Sequence, residues 1–271
     1  MEWSKLKNII ILLLAITNLL LLGLVLQEER EVRLLEREAL ENAVAFLNQR
    51  GIQLEADVPP RRMELLPQQV ERQLEREQAL AEVLLGRPVQ VEALGGQVYR
   101  YTGPRGTVQF HNDGAFSGQL GPEALPRSGA EVGEWARDLL KKLDFAGEVL
   151  ELQEDVAVLR QLWGQAPLLN HRVELHWDEA GVRLSGRRLT GEPSAAGGGG
   201  VRSVPTALMD IFTGLNRLGD VCSQITRIQP SYVSMSTLHG FITLRPVWHI
   251  TTDTGFYQLD TVSGQLSRAI S

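Results

Sequence analysis

Apolar and polar positions follow three different patterns along this chain. From Asn8 to Leu26 there is no period, only nineteen uncharged residues whose polar side chains are Asn8, Thr17 and Asn18. At about 1.5 Å per helical residue the run reaches roughly 28 Å, close to the ~30 Å hydrocarbon core of a bilayer, and it predicts a transmembrane helix over 8–26. A cleaved signal peptide would carry an apolar stretch of about 7–15 residues ending in small side chains. This run ends Gly23-Leu24-Val25-Leu26 before Gln27-Glu28-Glu29-Arg30, so an uncleaved anchor is the better reading. Within it Ile11, Ala15, Asn18 and Leu22 fall on one helical face. An amide in hydrocarbon needs a partner, and a small residue beside it lets a second helix approach, which makes this face the candidate partner contact.

Beyond the run a helical period takes over. Val32, Leu35, Ala39 and Phe46 recur among Glu and Arg up to Gly51, predicting a stalk helix over 28–50 that packs on the protein's own first sheet. Short strand-like stretches follow at Ile52–Leu54 and Met63–Leu66, then a helix from Val70 to Leu85. The period then falls to two. Val89–Leu94, Val98–Thr102, Thr107–Asn112 and Ala115–Leu120 alternate, separated by Gly95-Gly96, Gly103-Pro104 and Asp113-Gly114, which indicates antiparallel hairpins. A helix at Glu131–Leu143 opens a second round, with strands at Val149–Leu162, Pro167–Trp177 and Val182–Leu189. A helix at Val204–Leu218 opens a third, with strands at Val221–Ser236, Phe241–Thr251 and Phe256–Val262. The expected fold is therefore α+β: one N-terminal transmembrane helix, then two to three small lobes, each a helix packed on an antiparallel meander sheet. The expected organisation is a cytoplasmic tail at 1–7, the membrane helix at 8–26, a juxtamembrane helix with a first lobe at 27–127, and a C-terminal region at 128–271 with a glycine-rich loop at 191–200.

Charge sharpens the topology. Lys5 and Lys7 precede the span and two acids follow it, so the positive-inside rule puts the N-terminus in the cytoplasm and residues 27–271 outside a single-pass cell membrane protein. The outer 245 residues carry 25 Lys and Arg against 32 Asp and Glu, a net of −7. That balance argues against nucleic acid as a partner and against a polybasic membrane surface, leaving the lipid bilayer to be met by the span alone. Cys222 is the one cysteine, so no internal disulfide is available, and its apolar setting reads as a buried thiol.

Candidate chemistry is sparse. Asp253-Thr254-Gly255 matches the aspartic-protease triplet, but that mechanism shares a proton between two such loops and the chain has one. Lying between two alternating runs, the triplet reads as a hairpin turn. His171 and His176 are five apart on a predicted strand and so point to opposite faces. His111, His239 and His249 have no metal-ligand spacing, and His111-Asn112-Asp113-Gly114 reads as a turn. There is no P-loop, nucleophile elbow, S-x-x-K or dinucleotide fingerprint. The expectation is no catalytic residue, no metal and no cofactor.

Two stretches carry a resemblance. The opening Met1-Glu2-Trp3-Ser4-Lys5-Leu6-Lys7-Asn8, running straight into one span, resembles the start of the YycI family. The closing Thr243-Leu-Arg-Pro246-Val-Trp248-His-Ile-Thr-Thr-Asp-Thr-Gly255-Phe-Tyr257, with Asp260 to Gly264, is similar to that family's C-terminal hairpin. The resemblance implies a non-catalytic, single-span extracytoplasmic regulator of the WalK/WalR cell-wall two-component system of Gram-positive bacteria. Its partners would be a WalK-like membrane sensor histidine kinase and a YycH-like paralogue, met through membrane helices. Rival expectations are an anchored envelope ligand-binding or assembly module and, behind it, a cell-wall hydrolase using Asp253.

Overall fold

The computed structural model describes residues 2–55, 63, 65–127, 130–197, 201–236 and 241–269, apart from the side chains of 2, 4–6, 8–10, 23–26 and 28–33. Helix α1 (Glu2–Gln49) joins the apolar run and the stalk into one 48-residue element, about 72 Å long. It stops at Gly51, whose φ of +83° is the left-handed conformation that releases the chain from the helix. There Gly51 N–H donates to the Asn48 carbonyl and Ile52 N–H to that of Leu47, both at 3.0 Å.

One antiparallel sheet follows in sequence. It takes β3 (Gln90–Gly95), β4 (Val98–Gly103), β5 (Gly106–Phe110) and β6 (Ala115–Leu120), then β7 (Gly147–Leu152), β8 (Val156–Trp163), β9 (Ala166–Asp178) and β10 (Gly181–Arg187). The spatial order is β3-β4-β5-β6-β10-β9-β8-β7. Helix α2 (Leu74–Leu85) lies on β4 and β5, and α3 (Val132–Lys141) on β7 and β8. Their apolar stripes, Ala81, Leu84 and Leu85 on one and Ala136, Leu139 and Leu140 on the other, meet Tyr101, Phe110, Leu159, Val173 and Leu184 from the strands in a single core.

A second sheet is centred on β13 (Phe241–Thr252). On one side lies β12 (Gln224–Ser236); the other is shared by β2 (Gln68–Glu71) and β14 (Phe256–Asp260). Three short strands extend it: β11 (Pro193–Ala195) on β2, β15 (Leu266–Arg268) on β14, and β1 (Gln53–Leu54) parallel to β12. Helix α4 (Val204–Leu218) and the last turns of α1 cover one face, burying Ala43, Leu47, Leu208, Ile211, Trp248 and Ile250. The two sheets join where β9 runs parallel to β12 at Leu168 and Tyr232.

The α+β class agrees with the expectation; several finer expectations do not. The ladder between β6 and β10 crosses residue 127, so the expected division at 127/128 falls inside one sheet. The first two rounds have merged because each leaves an unpaired edge that the other can satisfy. The helix expected from Val70 begins at Leu74, since Gln68 to Glu71 pair with β13; Met63 and Leu65 lie outside any strand. Val149–Leu162 is a hairpin, turned where Gln153 N–H donates to the Val156 carbonyl at 2.8 Å. The glycine-rich stretch contains β11, and the meander pattern is broken by the two parallel pairs. The stalk packs on the last sheet rather than the first, and only from Leu40 onward: Leu35 and Ala39 are exposed, and the side chain of Val32 lies outside the described set. Among the described residues no helix is long and apolar enough to cross a membrane. The side chains described in the apolar run are 11–22, about 18 Å of helix.

Candidate functional site

Ile11, Ala15, Asn18 and Leu22 lie on one unbroken stretch of α1, and all four are exposed. Ile11 and Leu22 each leave just over half of their surface uncovered, and Leu12, Leu13, Leu14, Leu19, Leu20 and Leu21 around them leave as much or more. An apolar surface of this extent without a protein partner is unusual for a helix in water. Thr17 bonds back to the Leu13 carbonyl at 2.9 Å, which satisfies its hydroxyl within the helix. The far end of the helix is placed very differently. Ala43 and Leu47 are buried against α4, Phe46 meets Phe212 edge-on at 5.2 Å, and Arg50 lies 5.3 Å over the Phe46 ring. One continuous helix thus joins the exposed N-terminal face to the α4 core.

The seam between the sheets carries the buried polar groups. Arg188, 3% exposed, lies 4.1 Å over the Phe110 ring, donates to Thr190 Oγ1 at 3.0 Å and stands 3.9 Å from Glu77 Oε1. Arg72 grips the same carboxylate with two bonds of 3.0 and 2.8 Å and donates to the Gln97 carbonyl at 2.6 Å. Burial pulls the Arg188 guanidinium down to about 10, which still leaves it cationic at neutral pH. These residues line a cavity of about 20 Å³, room for a single water, and Arg188 Nε has no hydrogen-bond partner among the described residues. Two side-chain amides each clasp a backbone: Gln161 of β8 holds the stretch just after β10, and Asn170 of β9 holds β12 of the other sheet. Gln161 donates to the Leu189 carbonyl and accepts its N–H, both at 2.7 Å; Asn170 does the same to Ser234 at 2.8 and 3.0 Å.

Residues singled out for possible catalysis are occupied locally. Asp253 lies in the β13–β14 turn, where its carboxylate accepts the Ser223 hydroxyl at 2.6 Å and the N–H groups of Ser223 and Gln224. The hydroxyl bond, more than the backbone ones, holds its carboxyl below the usual range. Its oxygens thus pin the start of β12 to the turn. His171 is buried with Nε2 2.6 Å from Ser234 Oγ, and burial pushes it down to about 3. His176 is on the other face of β9, near Glu174. His111 meets Gln109 and opens the β5–β6 turn, while His239 lies outside the described residues. Cys222 is buried, and burial raises its thiol. Among the described residues no cluster of His, Cys, Asp and Glu could hold a metal ion.

The buried ionic seam was not anticipated from the sequence, although two signals were present. Glu77 sits on the stripe that continues to Ala81, Leu84 and Leu85, and Arg188 extends the core-facing parity of Val182, Leu184 and Gly186. A charge at a core position of an amphipathic element calls for an opposite charge nearby.

No protein-family model matches the chain, and no curated protein matches its sequence. Among solved structures it is similar to an uncharacterized protein from Eubacterium rectale ATCC 33656, at 13% identity over 76% of this chain and 86% of that one, with a TM-score of 0.43. It is also similar to the Bacillus megaterium YpeB C-terminal domain, at 9% identity over 74% of this chain and 100% of that one, with a TM-score of 0.35. Both are weak likenesses of shape, and the resemblance to the YycI family rests on the residues quoted for it.

Proposed function

We propose that this is a single-span membrane protein whose extracytoplasmic region regulates a sensor histidine kinase of a cell-wall two-component system by contact, without catalysis. The observation that carries the reading is the continuity of α1, from the uncharged run at 8–26 into the core beneath α4. The positive-inside rule puts Lys5 and Lys7 on the cytoplasmic side of the span, and in this reading the signal travels sideways in the bilayer to another membrane protein. Ile11, Ala15, Asn18 and Leu22 form the contact face, and differential binding of two kinase states by that face is sufficient to shift the signalling equilibrium. The YycI-like ends of the chain support the same reading, with a WalK-like kinase and a YycH-like paralogue as partners.

The experiment replaces residues 8–26 with an unrelated span of equal length and measures kinase autophosphorylation in membranes. The expected outcome is loss of regulation with the outer region still folded. Unchanged kinase output sinks the mechanism and favours the rival, an anchored envelope ligand-binding or assembly module that docks through its sheets.

A further inference from the structure

The first sheet ends in two edge strands that are built differently. An edge strand offers a row of unpaired backbone groups, and proteins blunt it with charge, with a covering element or by keeping it short. At one end β7 carries Glu148 and Glu151, runs into Glu154 and Asp155, and has α3 lying on it. In the second sheet the outer strands β11 and β15 have three residues each. At the other end of the first sheet, β3 has six residues, and its only neighbour in the sheet among the described residues is β4. Its single charge, Glu92, is already held by Arg100 of β4 at 3.3 Å.

The side chains of β3 are uncovered as well as its edge. All six residues are exposed, although they belong to the sheet. Val91 and Ala93 stand opposite Tyr101 and Tyr99, so they leave the same face as the buried core, and Gln90 and Glu92 leave the other. Helix α2 lies on β4 and β5, and Val91 is left 47% exposed beside it, with Leu94 at 40%. Core-facing valine and alanine on a free edge are half of a packed layer. The pairing length is bounded on both sides: Pro88 precedes the strand and cannot donate to a ladder, and a bulge interrupts it between Ala93 and Gly95.

We infer that β3 is a docking edge for a second copy of this chain, the two strands pairing antiparallel about a two-fold axis at Val91. The strand is complementary to itself in that register. Val91 meets Val91, and Val89 meets Ala93 on both sides of it, all on the helix-covered face, so the two apolar layers become continuous. On the opposite face Gln90 meets Glu92 twice, an amide donor against a carboxylate. Moving the axis by one residue would set Glu92 against Glu92 and lose that match. Pro88 and the bulge lie just outside the five paired positions, so neither obstructs the ladder. The inference goes beyond the proposed regulatory role and stands whether or not a kinase is the partner.

The test uses the full chain in mild detergent, with Cys222→Ala as the background so that an introduced thiol is the only one. Residues directly opposite in an antiparallel pair lie about 4.5–5.5 Å apart at Cα, within the ~4.4–6.8 Å that a disulfide spans. Under a mild oxidant Val91→Cys should therefore give a cross-linked dimer about tenfold faster than Glu151→Cys, an exposed thiol on the opposite edge. Val91→Lys, an exposed change, sets two cations face to face and should weaken the dimer seen by sedimentation about tenfold, with the far-ultraviolet spectrum unaltered. Cross-linking at residue 91 should survive Asn18→Leu, so this dimer and the proposed kinase contact can fail separately. Equal cross-linking at 91 and 151 overturns the site. Dimers that persist in Val91→Lys and disappear when residues 8–26 are exchanged belong to α1 and overturn it too. A Val91→Cys adduct formed in cells with a different envelope protein, and none between copies of this chain, overturns the second copy in favour of an outside strand.

Discussion

The two ends of α1 are made of similar residues and meet opposite fates. Leu12 and Leu20 near the start are more than half exposed, whereas Leu47 near the end is fully buried. Helix propensity does not distinguish them, since all are leucines inside one helix. What differs is whether another element covers the surface: α4 and the second sheet cover the face that carries Leu40, Ala43, Phe46 and Leu47, and nothing among the described residues covers 11–22. An uncovered apolar surface has to be met by lipid or by another protein, and the proposed function places it in the bilayer against a partner helix.

The comparison can be broken most forcefully at Leu47. Leu47→Ala should cost about 2–5 kcal/mol of unfolding free energy in urea titrations, whereas Leu35→Ala, at an exposed position of the same helix, should stay within about 0.5 kcal/mol. Similar losses at both sites would mean that the stalk is packed along its whole length. Gly214→Ala probes the landing surface. A Cβ at Gly214 would stand 2.3 Å from that of Leu266, so α4 must lift from β15, at about 1–3 kcal/mol, and the near-ultraviolet signal of Trp248 beneath it should change.

Acidification tests the seam rather than the helix. His171 is held near 3 in the folded state against about 6.5 unfolded, so the unfolded chain binds the extra proton. Its contribution is flat above pH 6.5. As pH falls from 6.5 towards 3, stability should drop by about 1.4 kcal/mol per unit on its account, and His171→Gln should flatten that slope. His249, held near 4, adds a loss of the same sign over a narrower window. The smallest effect is expected at the uncovered end. Asn18→Leu should leave unfolding of the outer region unchanged and weaken helix association in membranes by about 1 kcal/mol, measured by energy transfer between labelled spans. Association as strong as that of the unmodified span would remove Asn18 from the contact.

Much of the local structure was legible because it obeys short-range rules. Val204 to Leu218 shows the helical period, is preceded by Ser203 with Pro205 in its first turn, and ends at Gly219 in the left-handed conformation; α4 has those bounds. Asp253-Thr254-Gly255 and His111 to Gly114 are turns, as the flanking alternation indicated. The site was less legible. Asn170 and Gln161 look like ordinary strand polars, and only the approach of Ser234 and Leu189 turns the first amide into an extra rung between the sheets and the second into a clasp on the chain after β10. Arg160 and Arg172 are twelve positions apart and become direct neighbours only through strand pairing.

By itself the sequence determined the α+β class, the uncharged run at its start, most helices and hairpins, and the absence of familiar catalytic motifs. Periodicity, capping residues and turn chemistry act over a few residues and can be read in order. Tertiary structure alone decided that the first two rounds share one sheet, that residues 68–71 form a strand, and that the stalk lands on α4. It also decided that Glu77 and Arg188 meet. Each of these depends on which exposed edge, apolar face or buried charge finds its complement from a distant part of the chain, and no local pattern encodes that choice.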